Sequence, residues 1–198
     1  MKEITVLLYP DFTALDAFGP LEALGRLPDH EVHYVSLSGG MISSHGLHVM
    51  TDPVSSVSSC EIFLIPGGFG SRKEIGNDAL LSEIRRLSSA ASFVLTVCTG
   101  SALLGKAGVL SGRKGTGNKK AMDWTTAENP DVHWVREARW VQDGKYYTSG
   151  GVSAGTDMAL GFISDRYGRE KAEEIAELME YVWNDEKEDG FCFLRDKK

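Results

Sequence analysis

The chain has 198 residues and a formal net charge of −7, with 42% hydrophobic and 25% charged residues. This composition is typical of a soluble globular protein, and the length suits one domain across residues 1–198. The acidic balance without clustered Lys and Arg excludes a nucleic-acid surface, and no apolar run approaches the ~20 residues that span a membrane. Three cysteines without CxxC spacing and no signal peptide predict a cytoplasmic protein without a disulfide framework, and the five histidines form no metal-ligand motif.

Apolar runs typical of buried strands alternate with helical patterns along the whole chain. Strands are predicted at residues 4–9, 31–38, 61–65, 93–97 and, more weakly, 114–117. Two hairpin-like pairs are predicted, one around His45-Gly46 and one joining 134–142 to 145–149 around Asp143-Gly144. The predicted helices are a short one entered at Pro20, 77–89 with Asn77 as N-cap, one after Cys98, and 120–128, 153–167 and 170–183.

This alternation of strands and helices predicts a mostly parallel sheet with helices on both faces. In the last predicted helix, the apolar face is expected to point inward through Ile175, Leu178, Met179 and Val182. Folds of this class bind ligands at the carboxyl ends of their strands. The functional residues are therefore expected at the points where strands end.

The stretch from residue 93 to residue 110 changes from a buried-strand pattern to a helical pattern, with Cys98 at the junction. The first N–H groups and the dipole of such a helix stabilise an anion, so a thiolate there is expected to have a pKa below about 8.5. The pattern predicts a nucleophile elbow, although cysteine at a strand end is also often a small buried hydrophobe.

Three more groups follow predicted strands and are expected at the same edge of the sheet. Gly67 and Gly68 either present N–H groups to a developing negative charge or form a plain tight turn. Thr99 either contacts substrate or water through its N–H and hydroxyl groups or caps its own turn. Asp16 either caps the helix that follows Pro20 or faces Cys98 as a proton donor whose pKa burial would raise.

Other titratable residues are weaker candidates. Glu22 is an alternative carboxylate that is expected to face solvent, and Asp157 is expected to accept hydrogen bonds from the first turn of its helix. None of His45, His48 and His133 occupies an obvious strand end. The lack of a histidine base beside Cys98 argues against peptide hydrolysis.

Four motifs occur in a recognisable order along the chain, and together they resemble the ThiJ/PfpI superfamily, most closely its isonitrile hydratase branch. The resemblance covers about residues 4–183. The motifs are Leu15-Asp16-x-x-Gly19-Pro20, Ile65-Pro66-Gly67-Gly68, Val97-Cys98-Thr99-Gly100-Ser101 and Ser149-Gly150-Gly151-x-Ser153-Ala154-Gly155-x-Asp157.

The resemblance implies a flavodoxin-like three-layer sandwich of the class I glutamine amidotransferase-like type, a homodimer, and neither a metal nor an organic cofactor. It implies a small-molecule substrate and catalytic roles for Cys98, Thr99 and Asp16. The implied reaction hydrates an isonitrile to an N-substituted formamide, through thiolate attack, protonation by the carboxylate to a thioimidate, and hydrolysis.

One position departs from the family pattern, because Asn118 stands where this branch commonly has a histidine. Asparagine forms hydrogen bonds but does not titrate near neutral pH, so protease chemistry is less favoured. Asn118 is therefore grouped with Gly67 and Gly68 as a predicted substrate- or oxyanion-binding residue.

Two alternatives to hydration remain open. One is glyoxalase- or deglycase-like action on α-oxoaldehydes, which in other branches relies on a glutamate near the cysteine and often a histidine. The other is a non-catalytic sensor or stress protein in which Cys98 is oxidised to the sulfinic acid. The ligand-sensing domain of an AraC-type regulator is not expected, since the 198 residues leave no room for a helix-turn-helix region.

Overall fold

The computed structural model describes residues 1–190, so Cys192 lies outside the described residues. Within them, the strands fall into one large and one small sheet. The strands are β1 (Lys2–Leu7), β2 (His30–Ser36), β3 (Gly40–Ser44), β4 (Leu47–Pro53), β5 (Ile62–Ile65), β6 (Phe93–Val97), β7 (Lys114–Gly115), β8 (His133–Trp134), β9 (Trp140–Asp143) and β10 (Tyr146–Ser149).

The large sheet has eight strands in the order β3-β4-β2-β1-β5-β6-β10-β9, and β7 pairs with β8 in the small sheet. Pairing is parallel through the centre, from β4 across β2, β1, β5 and β6 to β10, and antiparallel at the β3–β4 and β9–β10 edges. Because β2 lies on one side of β1 and β5 on the other, the strand order reverses at β1. Parallel sheets bind ligands in the crevice at such a reversal.

Seven α-helices cover the sheet within residues 1–190, in two groups. The helices α1, α6 and α7 pack in series, whereas α4 contacts α2, α3 and α5. They are α1 (Ala14–Leu24), α2 (Ser71–Glu74), α3 (Asp78–Ala90), α4 (Gly100–Lys106), α5 (Met122–Glu128), α6 (Ala154–Tyr167) and α7 (Arg169–Leu178). The two groups cover opposite faces and bury β5 and β10 at every residue, which confirms the three-layer α/β sandwich.

Several local predictions are confirmed. His45 and Gly46 both have positive φ, 47° and 82°, as the tight turn between antiparallel β3 and β4 requires. The side chain of Asn77 caps α3, since its Oδ1 accepts a hydrogen bond from Leu80 N at 3.2 Å. Gly168, with φ of 92°, separates α6 from α7 as expected.

The predicted start of the first helix is wrong, because α1 begins at Ala14 and Pro20 lies in its interior. Proline there removes the hydrogen bond to the carbonyl of Asp16, a cost that the sequence pattern weighs against a helix. Packing of α1 against α6 compensates: an added Cβ on Gly19 would lie 2.7 Å from Thr156 Oγ1, so the two helices approach closely. Asp16 therefore lies on the first turn of α1 and is not its N-cap.

Two predicted elements are shorter in the structure. The predicted strand 134–142 is broken into β8 and β9, because the chain turns between them, where Ala138 N donates to Val135 O. The last helix ends at Leu178, before the positive φ of Glu180. Leu178 and Val182 are consequently 60% and 92% exposed, so their predicted inward orientation is wrong. Across residues 1–190, no helix combines the length and apolar character needed to cross a membrane.

Candidate active site

Cys98 lies where β6 turns directly into α4, as the strand–elbow–helix pattern predicts. Its φ of 59° places a non-glycine residue in the left-handed region, a strained conformation that concentrates at functional sites. The turn is held because Cys98 N–H donates to the carbonyl oxygens of Ser149 and Gly150, at 3.2 and 3.1 Å. Hydrogen bonds to the end of β10 therefore hold Cys98 in this strained conformation. The residue is 6% exposed.

Four adjacent strand ends surround this elbow. Asp16 follows β1, Gly67 follows β5, Cys98 follows β6 and Gly151 follows β10. Gly67 is required by close approach, because an added Cβ would lie 2.5 Å from Thr99 N. The turn after β5 is thus pressed against the elbow, and the structure brings the predicted groups to one edge of the sheet.

The Asp16 carboxyl is fully buried beside Cys98. Its Oδ2 accepts a hydrogen bond from Gly67 N at 3.1 Å, whereas Oδ1 has no partner of ordinary geometry among residues 1–190. Burial raises the pKa of Asp16 to about 7, although hydrogen bonding by the Cys98 thiol and by the N–H groups of Gly67 and Val152 opposes this shift. A carboxyl with this pKa gains or loses a proton readily at neutral pH.

Cys98 does not have the low pKa that its place at a helix start predicts. Burial, and then the charge of the Asp16 carboxylate, raise the pKa of the thiol to about 12. The Asn118 amide and the Thr99 N–H act in the opposite direction, but they are outweighed. Transfer of the thiol proton to Asp16 forms the thiolate and removes the opposing negative charge in one step, so the pair titrates as a unit.

Asn118 contacts the sulfur directly, with its Nδ2 donating to Cys98 Sγ at 3.1 Å. The amide orientation is determined by its other end, because Oδ1 accepts from Lys120 N and Ala121 N at 3.0 and 3.1 Å. Gly151 provides the space, since an added Cβ there would lie 2.4 Å from Asn118 Nδ2. Asn118 therefore stabilises negative charge on the sulfur without carrying a titratable proton.

The Thr99 hydroxyl lies away from the sulfur, in a buried network under the Gly67-Gly68 turn. Its Oγ1 accepts from Gly68 N at 3.0 Å and from Ser71 Oγ at 2.9 Å. The structure thus gives Thr99 two separate contacts, one through its hydroxyl to this turn and one through its N–H, which lowers the pKa of Cys98. The N–H groups of Gly67 and Gly68 are engaged with Asp16 and Thr99.

A cavity of about 370 Å³ opens onto Cys98. This volume is near the lower end of the roughly 300–1,000 Å³ typical of small-molecule sites. The cavity is lined by Thr13, Gly68, Phe69, Arg72, Cys98, Thr99, Asn118, Lys120, Ala121 and Val152. Of these, the sequence predicted Gly68, Cys98, Thr99 and Asn118. The other six lining residues were missed because no motif or periodicity marks them as part of a site.

The remaining candidates lie elsewhere. Glu22 is on the outer face of α1, paired with Arg26, as its predicted solvent exposure implies. Asp157 does lie in the first turn of α6, but its carboxyl accepts hydrogen bonds from Arg139, Tyr181 and Asn184 and not from the N–H groups of that turn. Among the described residues, neither a histidine nor a glutamate lines the cavity.

Known proteins resemble this chain over most of its length. The isonitrile hydratase of Pseudomonas putida is 34% identical over 186 residues, which cover 91% of this chain and 78% of that protein. The deglycase PH1704 of Pyrococcus horikoshii is 34% identical over 124 residues, 61% of this chain and 73% of that protein. The transcriptional regulator CdhR of Pseudomonas aeruginosa is 27% identical, and the match covers 89% of this chain but 54% of the regulator.

Solved structures and a family model agree with these relatives. The crystal structure of a ThiJ/PfpI family protein from Pseudomonas syringae superposes with a TM-score of 0.84 at 27% identity, covering 92% of this chain and 76% of that one. The model of the DJ-1/PfpI family matches residues 2–165, which include the elbow, the Asp16 turn and the strand end at Gly151. The chain therefore belongs to the DJ-1/PfpI family.

Proposed function

We propose that the protein hydrates a small electrophile at Cys98, with an isonitrile as substrate and an N-substituted formamide as product. The observation that carries this proposal is the buried Asp16 carboxyl beside the Cys98 thiol, with a pKa of about 7 and one oxygen without an ordinary hydrogen bond. Similarity to an isonitrile hydratase at 34% identity supports the same reaction.

The first step adds the Cys98 thiol across the terminal carbon of the isonitrile. The S–H proton passes to Asp16, the sulfur forms a bond to the carbon, and Asp16 returns the proton to that carbon. The product is a thioimidate, R–N=CH–S–Cys98, and no oxidant or reductant is needed. Asn118 stabilises the sulfur while it carries charge, since its Nδ2 lies 3.1 Å away.

The second step hydrolyses the thioimidate. Asp16, now a carboxylate, removes a proton from the water that attacks the same carbon and passes this proton to the nitrogen, and the remaining O–H proton returns to the sulfur in the next step. Collapse of the resulting tetrahedral carbon breaks the C–S bond, releases R–NH–CHO and restores the thiol. The N–H groups of Gly67 and Gly68 already donate to Asp16 and Thr99, so these glycines support the reaction by holding the acid and the elbow in place. Their role as oxyanion donors stays a prediction.

Thr99 is proposed to act mainly by position. Its hydroxyl accepts hydrogen bonds from Gly68 N and Ser71 Oγ and so connects the Gly67-Gly68 turn to the elbow. The Gly67 N–H of the same turn donates to Asp16. A loss of this hydroxyl is expected to disturb the alignment of acid and nucleophile.

The proposal is tested by incubating the purified protein with several alkyl and aryl isonitriles and following formamide by chromatography. Turnover by the wild type that is lost in Cys98→Ala supports it. Cys60→Ala is the matched control, because Cys60 is a buried thiol outside the cavity. No formamide from any isonitrile, or formamide that persists in Cys98→Ala, would contradict the proposal.

Deglycase-like action is the competing enzymatic proposal, supported by the 34% identity to PH1704 over part of the chain. The cavity favours it less, because its lining within residues 1–190 lacks the glutamate and histidine that this chemistry generally uses. A redox-sensing role is less favoured as well, since peroxide reacts with thiolates and the pKa of Cys98 is raised. The homodimer, the lack of a cofactor and the cytoplasmic location stay predictions.

A further inference from the structure

The mouth of the Cys98 cavity is positively charged in an acidic protein. Arg72 and Lys120 both line the cavity, and the chain as a whole has a net charge of −7. Within residues 1–190, no carboxylate lies within ion-pair distance of either side chain. The acidic residue Asp123 on α5 does not pair with either cation, because its carboxylate forms an ion pair with Arg136 at 2.7 Å.

Arg72 is held in a defined position even though it has no acidic partner. Its guanidinium lies over the ring of Trp124, 4.7 Å from the centroid, and over the ring of Phe69, 5.7 Å from the centroid. Stacking on aromatic faces fixes the plane of the guanidinium and leaves its N–H edges available for a ligand. Phe69 itself is 76% exposed, as expected of an apolar side chain at the mouth of a binding site.

Apart from Arg72 and Lys120, the side chains that line the cavity carry no formal charge. Beside Cys98 the lining includes the Asn118 amide, Thr13, Ala121 and Val152, and the fully buried Asp16 is not part of it. Arg72 and Lys120 are thus the cations available, within this one cavity, to a molecule that has one end at Cys98. A carboxylate is the group that a planar guanidinium binds best, through two parallel hydrogen bonds.

We propose that the substrate is an anionic small electrophile, whose reacting group meets Cys98 while a carboxylate at its other end binds Arg72 and Lys120. This inference rests on the proposed function only for the identity of the reacting group, which there is an isonitrile. Recognition of the carboxylate depends on the cavity mouth alone, so it can be tested without turnover.

Alkylation of Cys98 provides the test that is independent of turnover. The Cys98 thiolate displaces iodide from iodoacetate, which is anionic, or from iodoacetamide, which is neutral and of the same length. Both reactions need the thiolate, so the ratio of their rates does not depend on the pKa of Cys98. The rates are measured by mass spectrometry of the Cys98 peptide, and the same ratio for glutathione is the reference.

We expect the iodoacetate-to-iodoacetamide ratio at Cys98 to exceed that of glutathione by about tenfold, and to fall by about that factor in Arg72→Gln and less in Lys120→Gln. Salt near 1 M is also expected to lower the wild-type iodoacetate-to-iodoacetamide ratio, because the Debye length is then about 3 Å. Arg26→Gln, which removes an exposed cation that is paired with Glu22 and lies outside the cavity, is the matched control and leaves the ratio unchanged. A wild-type ratio equal to that of glutathione, or an unchanged ratio in the Arg72→Gln/Lys120→Gln double variant, overturns the inference.

Turnover separates this inference from the proposed function. Isocyanoacetate and its methyl ester differ in charge at one end, and we expect kcat/KM to favour the carboxylate and to lose that preference in Arg72→Gln. Equal turnover of both compounds by the wild type contradicts the inference and leaves hydration intact. No turnover of either compound, together with preferential iodoacetate labelling, contradicts hydration and supports the anion site.

Discussion

Two aspartates invite comparison, because they occupy equivalent places and have different surroundings. Asp16 and Asp157 are both fully buried, and each lies on the first turn of its helix, in α1 and α6. The two helices pack against each other. Burial and helix position alone therefore do not distinguish a reactive carboxyl from a structural one.

The difference lies in their hydrogen-bond partners. Asp157 accepts from the Arg139 guanidinium, from Tyr181 O–H at 3.0 Å and from Asn184 N at 3.0 Å, so both of its oxygens are used. Asp16 has one bond of ordinary geometry, from Gly67 N, and no cation partner within residues 1–190. A buried carboxyl whose two oxygens both accept hydrogen bonds from the protein stabilises the fold. A buried carboxyl with one oxygen unpartnered is able to exchange a proton.

Asp16→Asn tests the reactive side of this comparison and is expected to have the largest effect. The substitution keeps the shape and an oxygen for Gly67 N–H but removes the transferable proton. We expect kcat/KM for an isonitrile to fall by roughly 10²–10⁴-fold. Steady-state kinetics with purified protein measure this, and a loss of less than about twofold would show that Asp16 is not the acid.

Asp157→Asn tests the structural side. Within residues 1–190, Arg139 then keeps only Asp189 as an acidic partner, with closest atoms 3.8 Å apart. We expect a loss of about 3–5 kcal/mol in the free energy of unfolding, because a largely buried guanidinium loses its main counter-charge. Urea denaturation measures it. Asp123→Asn, at a 93% exposed carboxylate, is the control and is expected to cost less than about 1 kcal/mol.

The pH dependence of stability sharpens the comparison further. Burial raises the pKa of Asp16 to about 7 from its ordinary value of 3.8, so between these values the folded protein holds a proton that the unfolded chain releases. The free energy of unfolding is therefore expected to fall by a few kcal/mol as pH rises from about 4 to about 7. We expect Asp16→Asn to lack this part of the pH dependence.

Thermal unfolding of wild type and Asp16→Asn across this pH range measures the effect. We expect the variant to be the more stable protein near pH 8 and to lose that advantage near pH 4. A variant that is less stable than the wild type at both pH values would contradict the assignment of Asp16 as a buried carboxyl whose charged form destabilises the fold.

Asn118→Ala is expected to have the smallest effect. It removes the Nδ2 donor to Cys98 Sγ, so the pKa of the thiol rises further and alkylation by iodoacetamide slows by roughly five- to tenfold. Asn77→Ala is the matched control, since Asn77 also caps a helix through Oδ1 but lies outside the Cys98 cavity. Equal alkylation rates in wild type and Asn118→Ala would show that the amide does not stabilise the thiolate.

The sequence predicted the layers, the elbow and the edge of the sheet at which the site lies, because strand and helix periods are local properties. It also predicted that Asp16 and Cys98 share that edge, since parallel strands point the same way. It did not predict that Asp16 sits inside α1, because Pro20 signals a helix start and only the packing against α6 outweighs that signal.

The electrostatics of the site could not be predicted in the same way. The helix-start pattern favours a low thiol pKa, but burial and the Asp16 charge, both products of the tertiary fold, reverse its direction. Arg72, Phe69 and Trp124 come together from two segments that share no motif. Their arrangement at the cavity mouth depends on how α5 lies against the turn after β5, which no local pattern encodes.

The contact between Gly151 and Asn118 limits how this site can change by mutation. Gly151 lies outside the left-handed region, so an alanine there meets one obstacle, the Asn118 amide 2.4 Å from the new Cβ. A smaller residue at position 118 removes that obstacle, and a larger one makes it worse. The effects of substitutions at the two positions are therefore not additive. A change from Asn118 to a histidine base therefore has to keep a glycine at 151, which couples two residues that lie far apart in the chain.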